Sequence, residues 1–295
     1  MMGSTEKLAL FTKTSLAIYN VILLLILTRG SKDVAIETRI VLGIGSGDPN
    51  LDFKEISYAE DCSSMSNLGS MLDRFFIVHL LGFFVMSFCI RNAILTWMVS
   101  VGFELMEQSL KNLFPNFNEC WYDSLILDVL VCNNVGIVLG ILVSTYLLES
   151  RGWSWLKPLE GGRWMHTCVV TSTMFSILNA FVLKAVLFIP AEHPINPIRT
   201  MLMGLQLYYF VLEGAEKIGS MFKFGCVTLV LELAVGYRHG VIGGLFDLDV
   251  LPMGGKVYIS SLLFALVASA VKVANYSRRR NHSRRRNHKE RSKEE

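Results

Sequence analysis

Eight runs of apolar residues, each long enough or almost long enough to cross a lipid bilayer as a helix, constrain this chain more than any other feature. The runs lie at 8–28, 74–90, 93–109, 123–148, 165–189, 199–213, 219–236 and 256–274. The chain is 52% hydrophobic and 18% charged, a smaller charged fraction than soluble domains carry. The sequence therefore predicts an all-α polytopic transmembrane helix bundle of about eight spans, which occupies residues 1–276.

The last nineteen residues differ sharply in composition from the bundle. Residues 277–295 carry nine Lys or Arg against three Glu, and a hexad that begins at Ser277 is repeated from Ser283. A basic, low-complexity run cannot bury a core, so we expect a disordered polybasic tail. Such a segment directly after a span typically faces the cytosol and anionic lipid headgroups, and we expect no nucleic-acid partner. With eight spans, both termini would then be cytosolic.

Carboxylates and an amide interrupt the third and fourth apolar runs and the loop between them. A charged group near the membrane centre costs roughly 2.5–3.5 kcal/mol, so these groups must face one another, a cavity or a cation. They are Glu104, Glu107, Glu119, Asp123, Asp128 and Asn133. Because carboxylate and amide oxygens suit Ca²⁺ better than zinc or copper, we expect a calcium site. A buried network that joins helices through shared protons is the alternative.

The spacing of these residues predicts which of them share a helix face. Glu104 and Glu107 are three residues apart and lie on one face. On a straight α-helix Asn133 lies about 80° from Asp123, whereas Asp128 lies about 140° away. Asp128 therefore either serves a neighbouring contact or belongs to a locally distorted helix.

One histidine lies at a depth similar to that of the carboxylates. His79 falls in the first half of the second apolar run. A lone histidine in a membrane helix is usually a packing residue. Beside a metal site, however, imidazole is the side chain best suited to take a proton from a hydroxyl near neutral pH. We therefore consider His79 a candidate general base.

Six cysteines show no C-x-x-C spacing, which argues against a zinc or redox motif. Cys62 ends an acidic loop before the second run, and Cys120 directly follows Glu119. In an oxidising lumen the two could form a disulfide that ties this loop over the site; two unpaired thiols are the alternative.

Three consecutive stretches carry a resemblance to a known family. Gly-Phe-Glu-Leu-Met-Glu begins at Gly102, Leu-Phe-Pro-Asn-Phe-Asn-Glu-Cys-Trp-Tyr-Asp begins at Leu113, and Ile-Leu-Asp-Val-Leu-Val-Cys-Asn begins at Ile126. Together they closely resemble the eukaryotic base-exchange phosphatidylserine synthases. Weaker similarity covers most of residues 40–215, including Leu-Asn-Ala-Phe-Val-Leu-Lys from Leu178.

The resemblance implies a calcium-dependent exchange of the headgroup of phosphatidylethanolamine or phosphatidylcholine for L-serine, in the endoplasmic reticulum membrane. It implies His79 as the base that deprotonates the serine hydroxyl. We assign the predicted metal ligands as Glu104, Glu107, Glu119, Asp123 and Asn133, and the predicted substrate contacts as Asn116, Asp128 and Arg91. A homodimer and a monomer both remain open, as does the choice between choline and ethanolamine lipid.

The chain departs from the family pattern in several places. Ile177 stands where the family has Glu before Leu-Asn, and Gln206 stands where it has Arg before paired aromatic residues. The resemblance implies that this chain starts at the equivalent of the family's third span, so we expect it to lack two N-terminal spans. These differences bear on activity or substrate preference.

Two other functions are weighed against this hypothesis. A phosphatidyltransferase that uses a CDP-activated lipid relies on a signature that starts with Asp-Gly, and no Asp in this chain is followed by Gly. An ion-coupled transporter or channel could also keep acids within its helices, but an inverted repeat would be expected. Residues 165–274 contain no second acidic cluster.

Overall fold

The computed structural model describes residues 4–44, 57, 59, 62, 74–90, 92–148, 163–190, 193–213, 220–247, 249 and 251–294. Every regular element in these ranges is helical, which confirms the predicted all-α class. The α-helices are α1 (Ser4–Thr28), α2 (Ser31–Leu42), α3 (Arg74–Ile90), α4 (Ala93–Leu110), α5 (Asn134–Leu148), α6 (Arg163–Val186), α7 (Ile195–Glu213), α8 (Ser220–Val235) and α9 (Met253–Glu294). Two π-helical segments, π1 (Asp123–Asn133) and π2 (Gly236–Ile242), and a short 3₁₀ turn at Pro115–Phe117 complete the set.

Five of the helical segments are long and apolar enough to cross a membrane. They are Glu6–Thr28, Asp123–Tyr146, Trp164–Val186, Lys223–Ile242 and Met253–Tyr276. The predicted count of eight is therefore not confirmed. A shorter apolar helix covers Phe76–Ile90, and α4 and α7 fall at the other two predicted spans. The buried Glu104 and Glu107 make α4 less apolar than a lipid-facing helix. The chain is a multi-pass membrane protein.

The loop predicted after the first span contains an unexpected helix, α2. Its Arg39 is buried, with 1% of its surface exposed, and donates a hydrogen bond of 3.1 Å from Nη1 to the Phe188 carbonyl. Gly43 ends α2 in the left-handed conformation, which glycine adopts without a steric penalty. The charged residues of α2 lie on the exposed face of an amphipathic helix or, in the case of Arg39, in a specific buried contact.

The polybasic tail is helical where disorder was expected. α9 runs without a break from Met253 to Glu294 and crosses the predicted domain boundary at residue 276. Arg and Lys are good helix formers, and a preceding membrane helix removes the unfavourable nucleation step. Composition alone indicates that a segment lacks a core, but it does not indicate whether the segment extends an existing helix.

Helices α3 and α5 form the most extensive helix pair, because two glycines let their backbones approach closely. A methyl group on Gly136 would collide with the Leu80 carbonyl, and one on Gly140 would collide with that of Phe84. Ser87 Oγ donates to the Ile137 carbonyl at 3.1 Å across the same seam. Small residues that recur every four positions are a common device for such close contacts in membranes. The seam fixes α3 against the continuous helix formed by π1 and α5.

Candidate functional site

Helix α4 supplies one wall of the site. It begins after Asn92, whose side chain accepts a hydrogen bond of 3.0 Å from the Leu95 backbone N–H. Ser100, Glu104 and Glu107 follow at spacings of four and three, so they share one face, as predicted for the two glutamates. All three are buried, and Glu107 is only 4% exposed.

The opposite wall of the site is π1. Its π-helical geometry decides between the two alternatives that the sequence left open for Asp128. A π-helix is closed by hydrogen bonds between residues five apart, so it turns through fewer degrees per residue than an α-helix. Asp128, five residues after Asp123, therefore lies nearer to the face of Asp123 than it would on an α-helix, and the buried Asn133 follows five residues later. The expectation that Asp128 would point away held only for a straight α-helix; the alternative of a local distortion is confirmed.

His79 of α3 contacts π1 through Asp128. The His79 Nδ1 and Asp128 Oδ1 atoms are 3.0 Å apart, and both side chains are largely buried. The ring N–H direction does not meet hydrogen-bond geometry toward this oxygen, so the two side chains are in close contact without an aligned hydrogen bond. The His79 ring also packs edge-on against Phe103, with 5.7 Å between ring centroids. These contacts fix the orientation of the imidazole.

Asn133 joins the two walls. Its Nδ2 donates to Ser100 Oγ at 3.1 Å and to Glu104 Oε1 at 3.3 Å, and the residue is fully buried. Ligand atoms of His79, Glu104 and Asp128 lie within 4.8 Å of one another, a spacing that could hold a metal ion. The structure thus brings together four of the predicted residues from three helices.

The loop between α4 and π1 brings Asn116 and Glu119 to the same end of the bundle. Glu107 is buried, and Glu119, Glu104, Asp128 and Asp123 lie close enough for their charges to act on its carboxylate. The carboxylates therefore form one electrostatic group. Arg91 lies outside the described residues, so its substrate contact stays a prediction.

The oxygen atoms of this group fit a hard cation. The buried acceptor oxygens of this group that have no hydrogen-bond partner among the described residues include Glu104 Oε2, Glu107 Oε2, Asn116 Oδ1 and Asn133 Oδ1. A buried acceptor without a partner is normally destabilising, so a cluster of them suggests a ligand that completes their coordination. Carboxylate and amide oxygens are the donor set that calcium prefers. His79 offers a nitrogen rather than an oxygen donor, which is consistent with a role other than calcium binding.

A disulfide fixes the loop that carries Glu119. Cys62 and Cys120 are bonded, with 5.3 Å between their Cα atoms, which confirms the predicted bridge. Asn118 Nδ2 also donates to Ser57 Oγ at 3.0 Å. Two points of the acidic segment are therefore attached to the loop beside the site, although most of that segment lies outside the described residues.

The two positions that depart from the family pattern lie away from the carboxylates. Ile177 of α6 is partly buried against the hydrophobic core. Gln206 of α7 packs against α8, where its amide fills the space beside Gly225. Neither side chain is among the described contacts of the acidic group.

The sequence did not reveal a second buried polar network, which joins α1, α6, α7 and α8. Glu232 Oε1 accepts hydrogen bonds from Tyr19 Oη at 2.7 Å and from Arg199 Nη2 at 2.6 Å. Its other oxygen accepts from Asn179 Nδ2 at 3.2 Å. The one sequence feature that could have indicated this network is Glu232, a single glutamate in an otherwise apolar helix. Because the charge of Glu232 is paired with that of Arg199, the network is suited to holding the four helices together.

Ser100 and Tyr122 also escaped the sequence analysis. Ser100 lies one turn before Glu104, so helical spacing could have revealed it as the partner of Asn133. Tyr122 precedes Asp123 and is 2% exposed, and its hydroxyl has no hydrogen-bond partner among the described residues.

Comparison with known proteins identifies a family for this chain. The family model described as "Phosphatidyl serine synthase" matches residues 10–159, just over half of the chain, and this range contains every predicted site residue. "CDP-diacylglycerol--serine O-phosphatidyltransferase 2" of Oryza sativa subsp. japonica is 29% identical over 75% of this chain and 63% of its own length. "Phosphatidylserine synthase 2" of Homo sapiens is 32% identical over 54% of this chain and 37% of its own length.

"Phosphatidylserine synthase 1" of Danio rerio is 28% identical over 63% of this chain and half of its own length. The chain thus spans less than two-thirds of the length of these curated relatives. The family match covers π1, α3 and α4, the three helices from which the site is built. Because the family model matches more than half of its sequence, the chain belongs to the phosphatidyl serine synthase family.

Proposed function

We propose that this protein transfers a phosphatidyl group to L-serine by base exchange, with phosphatidylethanolamine or phosphatidylcholine as the donor. The observation that carries the proposal is the His79–Asp128 pair, which lies within a group of buried oxygen atoms that lack partners among the described residues. Family membership supports it, as do relatives whose names include phosphatidylserine synthase.

The pair can activate a hydroxyl nucleophile. With Nδ1 held against Asp128, Nε2 is the ring atom that takes the proton of the serine hydroxyl, and the Asp128 carboxylate stabilises the imidazolium that forms. The serine oxygen forms a bond to phosphorus while the bond to the headgroup oxygen breaks. The imidazolium then returns its proton to the departing alcohol. One phosphodiester replaces another, so the exchange needs no nucleotide.

We assign the calcium ligands to Glu104, Glu107, Glu119, Asp123 and Asn133, with Asn116 and Asp128 facing the substrates. A bound calcium ion would supply positive charge that stabilises the phosphodiester and orients the serine carboxylate. The acidic group also excludes bulk anions from the site, so a phosphodiester approaches only when its charge is compensated.

A second candidate differs only in the donor lipid. Plant relatives that cover three-quarters of this chain carry names with CDP-diacylglycerol as the donor. In both reactions the same base activates serine, and the difference lies in the leaving group, a simple alcohol or a nucleotide. The absence of an Asp-Gly pair in this sequence favours base exchange. An ion transporter gains no support from the family.

We place the protein in the endoplasmic reticulum membrane, with eight helices crossing it and both termini in the cytosol. The site then opens to the lumen, because α4 ends and π1 begins on that side. A lumenal position is consistent with the Cys62–Cys120 bridge, since disulfides persist in oxidising compartments. Cross-linking of the purified protein would distinguish a homodimer from a monomer.

The test is a serine incorporation assay with purified full-length protein in vesicles. Labelled L-serine is supplied with phosphatidylcholine, phosphatidylethanolamine or CDP-diacylglycerol as the sole donor, with calcium or with a chelator. We expect incorporation from one or both of the first two lipids without nucleotide, and its loss in chelator. Incorporation from CDP-diacylglycerol alone would replace the proposal with the second candidate. Undiminished exchange in chelator would remove the calcium assignment.

A further inference from the structure

The repeated hexad near the C-terminus has no part in the proposed exchange reaction. Ser-Arg-Arg-Arg-Asn-His occupies residues 277–282 and recurs at 283–288. The two copies differ in what precedes their serine. Ser277 follows Val-Ala-Asn-Tyr, whereas Ser283 has arginine three, four and five residues before it. Of the two serines, only Ser283 therefore has a cluster of arginines on both sides.

Ser283 lies on an exposed part of α9. Its side chain is exposed, as are those of Arg278, Arg279 and His282 before it. Ser283 Oγ donates a hydrogen bond of 3.2 Å to the Arg279 carbonyl within the same helix. Because the hydroxyl acts as the donor in this bond, the lone pairs of its oxygen remain available to an electrophile.

The helix around Ser283 can open at little cost. Residues 277–295 contain no apolar side chain, so this end of α9 has no hydrophobic face to bury. A helix held by backbone hydrogen bonds alone is marginal in water and frays from its end. Ser283 also lies about 10 Å of helix beyond Tyr276, where the last candidate span ends. An enzyme that binds its substrate as an extended segment can therefore reach this serine.

We propose that Ser283 is the phosphate acceptor for a protein kinase that selects arginine upstream of serine. Pairs between guanidinium groups and the carboxylates of such a kinase provide both affinity and geometric selectivity. Ser283 Oγ forms a bond to the γ-phosphorus of ATP, the bond from that phosphorus to the β,γ-bridging oxygen breaks, and ADP leaves. The hydroxyl proton passes to the catalytic base of the kinase.

The modification changes the charge of the tail. Residues 277–295 carry nine Lys or Arg against three Glu, a net charge of +6. A phosphoserine adds about −1.5 to −2 charges near neutral pH. The phosphate therefore removes roughly a quarter to a third of the charge with which the tail attracts anionic lipid headgroups.

The inference rests on the proposed cytosolic position of the C-terminus, and the residues around Ser283 test that position. Asn281-His282-Ser283 is also a sequon for N-glycosylation, which takes place in the lumen. ATP-dependent kinases of this kind act in the cytosol. A phosphate on Ser283 and a glycan on Asn281 therefore mark opposite orientations.

The first measurement uses the purified full-length protein in detergent, where orientation has no effect. The protein is incubated with labelled ATP and a purified serine kinase that selects arginine three residues before its acceptor. Ser283→Ala should lower the initial rate of labelling roughly 10- to 100-fold, because the arginine contacts are lost as a recognition element for the remaining serines. Ser277→Ala is the matched control and should match wild type. Equal rates in the two variants, or no label in the wild-type protein, would overturn the inference.

The second measurement uses the protein made in eukaryotic cells in the presence of a phosphatase inhibitor. We expect a phosphate at Ser283 by mass spectrometry, and a gel mobility shift that phosphatase treatment of the lysate removes. The shift should persist in Asn281→Gln and disappear in Ser283→Ala.

Two results in cells contradict the inference. One is an unmodified Ser283, and the other is a glycan on Asn281 that endoglycosidase removes, since Ser283 would then lie in the lumen. Serine exchange is assayed separately. Its absence in the wild-type protein would refute base exchange and leave the phosphorylation results unaffected.

Discussion

At the residue scale, the site depends on side chains that are unfavourable in a membrane unless they interact. Each buried carboxylate costs roughly 2.5–3.5 kcal/mol near the bilayer centre. Asn133 offsets part of this cost by donating to Glu104, and His79 does so by contacting Asp128. The carboxylate and amide oxygens that still lack hydrogen-bond partners are the reason we expect the site to bind calcium.

The first prediction concerns the His79–Asp128 pair. His79→Ala should reduce serine exchange roughly 10²- to 10⁴-fold, because a positioned base is lost. Asp128→Asn keeps the side-chain shape but removes the charge that stabilises the imidazolium, so kcat should fall more than the serine KM rises. Initial rates at varied serine concentration measure both effects.

His282→Ala serves as the control, because His282 is exposed on the far part of α9. Near wild-type turnover in His79→Ala, with normal protein levels, would show that His79 is a packing residue.

At the element scale, π1 and the glycine seam between α3 and α5 set the geometry of the site. The π-helical geometry of π1 turns Asp128 toward the face of Asp123, whereas an α-helix would point it away. The seam holds His79 at the distance at which it meets Asp128. Together these two elements determine which side chains meet in the site.

The second prediction tests the seam with Gly136→Ala. The added methyl would collide with the Leu80 carbonyl, one residue from His79. Overpacking of this kind typically costs about 1–3 kcal/mol and would move α3 away from π1. We expect a lower melting temperature and a strong loss of exchange activity, measured by thermal unfolding in detergent and by the serine assay.

Gly82→Ala in α3 is the matched control. A methyl group there meets nothing within 4 Å, and alanine is the better helix former by about 1 kcal/mol. Unchanged stability and activity in Gly136→Ala would contradict the close approach of the two helices.

The third prediction concerns the disulfide. Replacing Cys62 and Cys120 together by Ser opens a loop of 58 residues. On the chain-entropy model the bridge contributes about 4 kcal/mol, so the melting temperature should fall. More calcium should also be needed for activity, because Cys120 adjoins Glu119.

Cys226→Ser is the control for this change, since Cys226 is an exposed free cysteine. An unchanged melting temperature in the double variant, together with wild-type calcium dependence, would show that the bridge contributes neither stability nor site geometry.

At the scale of the whole molecule, the proposed orientation puts the site at one face of the membrane and the polybasic end of α9 at the other. Two sequons for N-glycosylation, at Asn275 and Asn281, lie in that end. The proposed orientation puts them in the cytosol, where the modifying enzyme does not act.

The fourth prediction is therefore that neither asparagine carries a glycan when the protein is made in eukaryotic cells. Gel mobility before and after endoglycosidase treatment measures this. A glycan that disappears in the Asn275→Gln, Asn281→Gln variant would reverse the orientation and move the site to the cytosolic face.

The sequence by itself determined the all-helical membrane class, because apolar runs of spanning length have few other structural solutions. It also predicted His79, Glu104, Asp128 and Asn133, which the structure places together, since polar groups in such runs require a specific reason, but it missed Ser100. Spacing placed Glu104 and Glu107 on one face, because they belong to a regular helix. These inferences depend on local properties of short segments.

Only the tertiary structure decided the contacts between segments that are distant along the chain. His79 meets Asp128 because two glycines allow α3 to approach, and Asp128 faces inward because π1 is not an α-helix. The burial of Arg39 and the helical continuation of the tail are also absent from any local pattern. Such features depend on packing between helices, whose free energy is not encoded in any single segment.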